Sequence, residues 1–130
     1  MIEIGKVVQA REEVRDKAKR DMQKARSLSK QAILLGHQNK FNEAKRLIEK
    51  ARKIISRLND ASKKYPKIIY GGLFDAALQE YSEANIFLTL IQESRFVAPE
   101  EIGVPSVDYI LGLGDVVGEY RRLALDFLRE

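Results

Sequence analysis

Residues 72–93 read GLFDAALQEYSEANIFLTLIQE, a stretch in which apolar residues recur at steps of three, four and seven. At about 100° per residue, this period places them along one side of an α-helix. These apolar residues are Leu73, Ala77, Ala84, Phe87 and Ile91. The alternation that is typical of a strand occurs nowhere in the chain. The stretch therefore predicts a helix over residues 67–93 and indicates an all-α fold.

The same period predicts a helix on residues 4–36. Its apolar stripe comprises Val7, Val14, Ala18, Met22, Ala25, Ala32 and Ile33. Gly36 is predicted as its C-terminal cap, because glycine readily adopts the left-handed backbone of that position. A second helix is predicted on residues 41–64, with Asn39 or Asn42 as its N-cap. Its stripe comprises Ala44, Leu47, Ile48, Ala51, Ile54, Ile55 and Leu58.

A last helix is predicted on residues 106–130, after a loop that contains two of the three prolines. Because the connections are short, neighbouring helices are expected to run antiparallel. The sequence thus predicts one all-α domain over residues 1–130, an antiparallel bundle of about four long helices. Exposed Leu123, Phe127 and Leu128 would leave an apolar patch, so we expect a homo-oligomer.

The composition excludes several kinds of chemistry. Cysteine is absent and His37 is the only histidine, which rules out thiolate sites and multi-histidine metal sites within one chain. At a helix end, His37 is more typical of a cap or a surface residue than of a catalytic base. No apolar run approaches the roughly 18 residues that cross a bilayer, and no signal peptide is visible. These features predict a cytoplasmic protein without membrane attachment.

Charge is distributed unevenly along the chain. Residues 1–70 hold 19 basic and 8 acidic residues, a net charge of +11, whereas residues 71–130 hold 4 basic and 11 acidic residues, a net charge of −7. The basic half suits a polyanion such as nucleic acid, although a solvated surface is the ordinary alternative. The candidate RNA-binding residues are Arg11, Arg15, Lys17, Arg20, Lys24, Lys45, Arg46, Lys50, Lys53 and Arg57. For Arg11 and Arg15, pairing with inward carboxylates is a second alternative.

Two acids interrupt the apolar stripe of residues 67–93. Glu80 lies within the stripe, and Glu83 lies about 60° away on its flank. A carboxylate that is buried without a partner costs several kcal/mol, so a basic side chain or a metal ion is expected beside this pair. Carboxylates alone are suitable ligands for Mg²⁺ or Mn²⁺.

Asp115 and Glu119 form a second acid pair, four residues apart on one side of the last helix. A solvent face with ion pairs is the ordinary alternative here, because both residues belong to a polar stripe. This stripe comprises Asp108, Asp115, Glu119, Arg122 and Asp126, opposite Ile110, Leu113, Val116, Val117, Leu123 and Phe127. Glycines at positions 112, 114 and 118 would let another helix, a metal site or a nucleic-acid backbone come close.

Residues 72–84 (GLFDAALQEYSEA) and 104–122 (VPSVDYILGLGDVVGEYRR) resemble the translin/TRAX family, and specifically its TRAX-type members. Residues 29–38 (SKQAILLGHQ) are similar to the family less specifically. The resemblance implies an all-α subunit of an octameric shell that binds single-stranded or structured RNA and DNA. It also implies Mg²⁺-dependent endoribonuclease activity, with the catalytic, metal-binding acids at Glu80, Glu83, Asp115 and Glu119. Family subunits continue through further C-terminal helices, which this sequence is expected to lack.

The main hypothesis is therefore a Mg²⁺- or Mn²⁺-dependent endoribonuclease subunit that acts on single-stranded or unpaired RNA. Single-stranded DNA is a further candidate ligand, and a translin-like subunit is a candidate partner beside self-association. The alternative is a non-catalytic oligomeric helical protein that binds RNA or DNA, whose acids pair with Arg11, Arg15 or Arg122. A helical scaffold for protein partners is a third hypothesis.

Overall fold

Between residues 2 and 129, the structure, a computed structural model, contains four long helices and two short ones. It describes the backbone of residues 2–129 and the side chains of residues 4–126, 128 and 129. The helices are α1 (Ile2–His37), α2 (Phe41–Lys64), α3 (Pro66–Ile69), α4 (Gly72–Glu93), α5 (Pro99–Ile102) and α6 (Ser106–Arg129). No strand occurs between residues 2 and 129. The predicted all-α bundle of about four long helices is confirmed, while the last predicted helical residue, Glu130, lies outside the described residues.

A tight turn joins α1 and α2 into an antiparallel hairpin. Asn39 has the left-handed backbone in this turn, with a φ of 61°. The prediction of Gly36 as the cap is wrong, since it lies inside α1 and against α4. A Cβ on Gly36 would lie 2.8 Å from Cδ2 of Leu88. Its lack of a side chain therefore permits close packing of α1 on α4.

Helix α4 occupies the centre of the bundle and packs against α1, α2 and α6. It is apolar on most of its circumference because it has neighbours on several sides. Phe74, Tyr81 and Phe87 are almost completely buried, and burial of a side chain as large as Phe87 contributes about 1.5–3 kcal/mol. The predicted helix over residues 67–93 is divided in two, because Gly71 has extended backbone between α3 and α4.

The segment between α4 and α6 returns along the bundle, so that α6 runs in the same direction as α4. Val104 belongs to the same apolar cluster as Ile69 and Phe74, near the start of α4. Farther along both helices, Gly112 faces Ser82. Helices α4 and α6 are thus parallel, whereas short connections favour antiparallel neighbours. The parallel arrangement is possible because the segment that carries α5 is long enough to span the bundle.

Helix α6 buries part of its polar stripe and exposes part of its apolar stripe. Asp108 is 5% exposed, and burial, together with the nearby carboxylate of Asp75, raises its pKa. By contrast, Ile110 and Val117 are 63% and 69% exposed. The interpretation of the whole polar stripe as a solvent face is therefore wrong for Asp108, because α6 turns that side towards α4.

The far end of α6 keeps part of the predicted apolar patch. Leu128 is exposed and Leu123 is half-buried, while the side chain of Phe127 lies outside the described residues. Across residues 2–129, we find no helix that is both long and apolar enough to cross a membrane.

Candidate functional site

Helix α4 places one acid inside the bundle and one at its surface. Glu83 is 6% exposed and lies between Ser82 and Ala84, which are completely buried. The side chain of Glu80, one turn earlier, retains 20% exposure. The Oγ atom of Ser82 donates to the carbonyl oxygen of Leu78 at 2.8 Å, which satisfies this hydroxyl within α4. Both acids therefore project from the stripe as predicted, but to different depths.

Helix α6 brings the second acid pair close to the first because Gly112 has no side chain. A Cβ added at Gly112 would lie 2.8 Å from the Cβ of Ser82, closer than such atoms approach in folded proteins. Asp115 and Glu119 follow one and two turns later. The side chain of Glu119 is 14% exposed. Asp115 is exposed, and its Oδ2 atom accepts a 2.7 Å hydrogen bond from Nε2 of Gln79.

Three of the four predicted acids meet in one cleft of about 250 Å³ between α1, α4 and α6. These are Glu80, Glu83 and Glu119, whereas Asp115 lies outside the lining of the cleft. The other lining residues are Lys30, Ile33, Leu34, His37 and Arg122. The two acid pairs that the sequence predicts on separate helices are thus brought to one place, with Asp115 at its edge.

Lys30, His37 and Arg122 contact the acids of this cleft. The Nζ atom of Lys30 lies 3.9 Å from Oε1 of Glu80. Oε2 of Glu119 is 2.7 Å from Nε2 of His37 and 3.4 Å from Nη1 of Arg122. Lys30 and Arg122 are more than half exposed, whereas the side chain of His37 is 10% exposed.

Besides Lys30, the sequence interpretation missed His37 as a site residue. It lies four residues after Ile33, a member of the predicted apolar stripe of α1, and therefore on the same side of the helix. This spacing was the available signal for an inward position. The interpretation as a cap or surface residue is wrong, since the ring is largely buried against Phe87 and Glu119.

The cleft concentrates negative charge around Glu83. Burial raises the pKa of Glu83 to about 8, and the nearby carboxylates of Glu80, Asp115 and Glu119 add to this rise. A hydrogen bond with Glu119 favours the protonated form of Glu83 further. Crowded carboxylates that disfavour each other's ionisation create a place where a cation would be stabilised.

The donor set suits a hard divalent cation in its chemistry. Four carboxylates offer the oxygen ligands that Mg²⁺ and Mn²⁺ accept, and the raised pKa of Glu83 reflects its burial first and then the neighbouring carboxylates. Among the described residues, no three His, Asp or Glu side chains are arranged to hold an ion as they stand. Glu119 faces His37 and Arg122, and Asp115 faces Gln79, so an ion would require these carboxylates to turn.

The ten predicted RNA-binding residues are all exposed. Arg11 and Arg15 line a second cleft of about 360 Å³ together with Lys64 and Lys67. The alternative that Arg11 and Arg15 pair with the inward acids is wrong, because Lys30, His37 and Arg122 occupy those positions. On the α2 side of α1, Arg57 lies 3.6 Å from Asp21 and so is partly neutralised.

Comparison with known proteins finds likeness in structure. No model of a protein family matches the chain, and no curated protein matches its sequence. The crystal structure of apo-NeC3PO has a TM-score of 0.87 and 27% sequence identity over 97% of this chain and 67% of that chain. The crystal structure of AfC3PO has a TM-score of 0.84 and 30% identity over 97% of this chain and 65% of that chain.

A complex of AfC3PO with duplex RNA is similar as well, with a TM-score of 0.83 and 30% identity over 97% of this chain and 64% of that chain. The chain therefore shares the fold of the C3PO proteins and spans about two thirds of the length of those chains. This likeness supports the resemblance to the translin family.

Proposed function

We propose that the chain is a TRAX-type subunit of a metal-dependent endoribonuclease, with its catalytic acids at Glu80, Glu83, Asp115 and Glu119. The observation that carries this proposal is the convergence of three carboxylates from α4 and α6 in one cleft, one of which, Glu83, has a pKa of about 8. Strongly perturbed carboxylates in a cleft are typical of functional sites. The RNA complex of the similar AfC3PO supports RNA as the ligand.

Each acid has a distinct part in this proposal. Glu83 and Glu119 would hold Mg²⁺ or Mn²⁺ from two helices, with Glu80 and Asp115 completing the site at its rim. The ion, when bound, would neutralise charge on the phosphate and lower the pKa of a bound water. A rim carboxylate would accept the proton of the attacking water, whose oxygen forms the new bond to phosphorus as the RNA oxygen leaves.

Two basic residues are placed to contact the phosphate at this cleft. Lys30 and Arg122 pair with Glu80 and Glu119, but their side chains are 55% and 65% exposed. Ion pairs of such exposed side chains contribute little stability. Lys30 and Arg122 can therefore turn towards non-bridging phosphate oxygens at a small cost in free energy. Both side chains would then stabilise the charge that develops during cleavage.

The remaining RNA would lie along the basic half of the chain. Arg15 precedes His37 by 22 residues in one helix. The cleft lined by Arg11 and Arg15 (the basic cleft) therefore lies roughly 33 Å along α1 from the cleft that contains the acids (the acid cleft). Lysines and arginines at this distance can hold the backbone with little preference for sequence. Unpaired RNA remains the proposed substrate, with single-stranded DNA as a second ligand.

We propose that residues 1–130 act as one domain within a homo-oligomer or beside a translin-like subunit. Ile110 and Val117 give α6 an exposed apolar side in the isolated chain, as large buried contacts between subunits require. Size-exclusion chromatography with light scattering measures the assembly, and a monomer at working concentration would contradict this part.

The test of the catalytic proposal is cleavage of a labelled single-stranded RNA in Mg²⁺ or Mn²⁺. Glu83→Ala and Asp115→Asn should each lower the rate by about 100-fold or more, since each removes charge that binds the ion. Glu49→Gln, on the exposed surface of α2, is the matched control and should retain full activity. Activity that is unchanged in both site variants, or absent from a well-assembled wild type, would contradict the proposal.

The second candidate is a non-catalytic oligomeric protein that binds RNA or DNA. It is favoured by one observation, that Lys30 and Arg122 already pair with Glu80 and Glu119, and His37 contacts Glu119, without an ion. It predicts binding that weakens steeply with salt, without cleavage and without a thermal shift on adding Mn²⁺. A salt-insensitive complex with a protein, without retention of RNA, would instead support the scaffold hypothesis.

A further inference from the structure

His37 joins α1 to the acid cleft through an immobilised ring. Its side chain is 10% exposed, and Nε2 lies 2.7 Å from Oε2 of Glu119. The ring packs on Phe87 with centroids 4.7 Å apart and planes 37° from parallel. Packing of this ring on Phe87 of α4 and its contact with Glu119 of α6 together set the position of Nε2.

The close approach of α1 to α4 depends on the residue before His37. A Cβ at Gly36 would meet Cδ2 of Leu88 at 2.8 Å and Cε2 of Phe87 at 3.1 Å. Glycine therefore allows the last turn of α1 to lie close enough for His37 to reach across α4 to Glu119. Gly36 and His37 thus act together: the absence of a side chain at Gly36 allows the close packing that positions His37.

The surroundings of Nδ1 indicate whether Nε2 binds a metal or donates a hydrogen bond. Nδ1 of His37 is buried, and no hydrogen-bond partner lies within its reach in the described part of the chain. A ring that bound a metal through Nε2 would carry its proton on Nδ1, where a buried donor without an acceptor is unfavourable. A proton on Nε2 instead leaves Nδ1 as an acceptor and allows Nε2 to donate to the carboxylate of Glu119, 2.7 Å away.

We infer that His37 is a positioning residue, which donates from Nε2 to Glu119 and holds that carboxylate towards Glu83 without binding the metal itself. This inference rests on the proposed metal site. Arg122 cannot replace His37 in this role, since it lies on α6 three residues after Glu119 and its side chain is 65% exposed. Hydrogen bonds to ligand carboxylates commonly tune metal affinity in this way.

The first test uses the fact that His37 is the only histidine of the sequence. Nitrogen-15 NMR of the ring therefore needs no assignment by mutation. We expect a proton on Nε2, both in chelator and with Mg²⁺ added. A proton on Nδ1 alone, or a large shift of Nε2 that indicates a bond to Mg²⁺, would overturn the inference.

The second test measures Mn²⁺ affinity by the electron paramagnetic resonance signal of the free ion. His37→Phe keeps an aromatic ring on Phe87 but removes the donor, and we expect a Kd raised about 10- to 100-fold. His37→Gln places an amide donor near the original Nε2 and should recover most of the affinity. Gln38→Ala, at an exposed neighbouring position, is the matched control and should bind as wild type does.

A double-mutant cycle separates positioning from general support of the fold. If His37 acts through Glu119, His37→Phe should have no further effect on Mn²⁺ affinity once Glu119→Gln is present. Equal affinity in wild type and His37→Phe, or additive losses in the cycle, would overturn the inference while leaving the metal site intact. A wild type that binds no Mn²⁺ would overturn both the inference and the proposed function.

Discussion

Replacement of Glu83 by glutamine should stabilise the metal-free protein by an amount that grows with pH. Burial and three neighbouring carboxylates raise the pKa of this residue from 4.5 to about 8. The folded chain therefore disfavours the ionised form, whereas the unfolded chain does not. Glutamine has the same size and retains hydrogen-bonding groups, but it cannot ionise. The variant would remove one of the proposed metal ligands and yet strengthen the fold that carries it.

The magnitude follows from the two pKa values of the folded and unfolded chain. Below pH 4.5 the carboxyl is protonated in both states, so wild type and variant should differ little. Between pH 4.5 and pH 8 only the folded state keeps the proton, and the free energy of unfolding falls by about 1.4 kcal/mol per pH unit. The variant should therefore gain about 3 kcal/mol at neutral pH and about 5 kcal/mol above the folded pKa.

The assay is urea unfolding followed by far-ultraviolet circular dichroism, in chelator, at pH values from about 5 to about 9. The difference between Glu83→Gln and wild type cancels the groups that titrate elsewhere in the chain, and so reports Glu83 together with the carboxylates beside it. Glu49→Gln is the control: its exposed carboxyl pairs with Arg52, which lowers the pKa of Glu49, so this variant should gain no stability as pH rises. A difference between Glu83→Gln and wild type that stays constant over the pH range would refute the reasoning.

Three further perturbations test the packing, the basic cleft and the ion. Gly112→Ala should lower the free energy of unfolding by about 1–3 kcal/mol, because the added Cβ overpacks α6 on Ser82. Gly114→Ala, whose Cβ meets nothing within 4 Å, should instead stabilise α6 by up to about 1 kcal/mol. Equal melting temperatures of the two variants would contradict this. Replacing Arg11 and Arg15 by glutamine should reduce the slope of log affinity against log salt by about 0.7 per lost phosphate contact, measured by fluorescence anisotropy with single-stranded RNA, and an unchanged slope would exclude this cleft from RNA binding. Mn²⁺ at 100 times its Kd should stabilise the wild type by about 2.7 kcal/mol, and calorimetry that shows no increase in melting temperature would refute an ion site.

Helices were predictable because their signal is local. The period of apolar residues predicted α2 at residues 41–64, as the structure has it, and α1 with errors of only a few residues. The break at Gly71 was missed, since two glycines early in a strongly periodic stretch do not by themselves interrupt the pattern. Gly36 was assigned to the cap because its packing against Leu88 depends on a helix far away in the sequence.

The candidate site was predictable only in part. Glu80 and Glu83 stand out from the sequence because acids that interrupt an apolar stripe demand a partner, and the burial of Glu83 agrees with that reasoning. The family resemblance alone predicts Glu119 at the site. The apolar pattern of its helix would turn the opposite side inwards and leave Glu119 in solvent. The metal role of all four acids stays a prediction.

The helical periods, the charge asymmetry and the inward acids of α4 follow from the sequence alone, because each is set by neighbours within a few turns. The meeting of His37 with Glu119, 82 residues apart, does not. It depends on Gly36 and Gly112, which let α1 and α6 come close to α4, and on the returning segment that makes α6 parallel to α4. Contacts of this kind arise only when separate helices pack, and they decide which acids share the cleft.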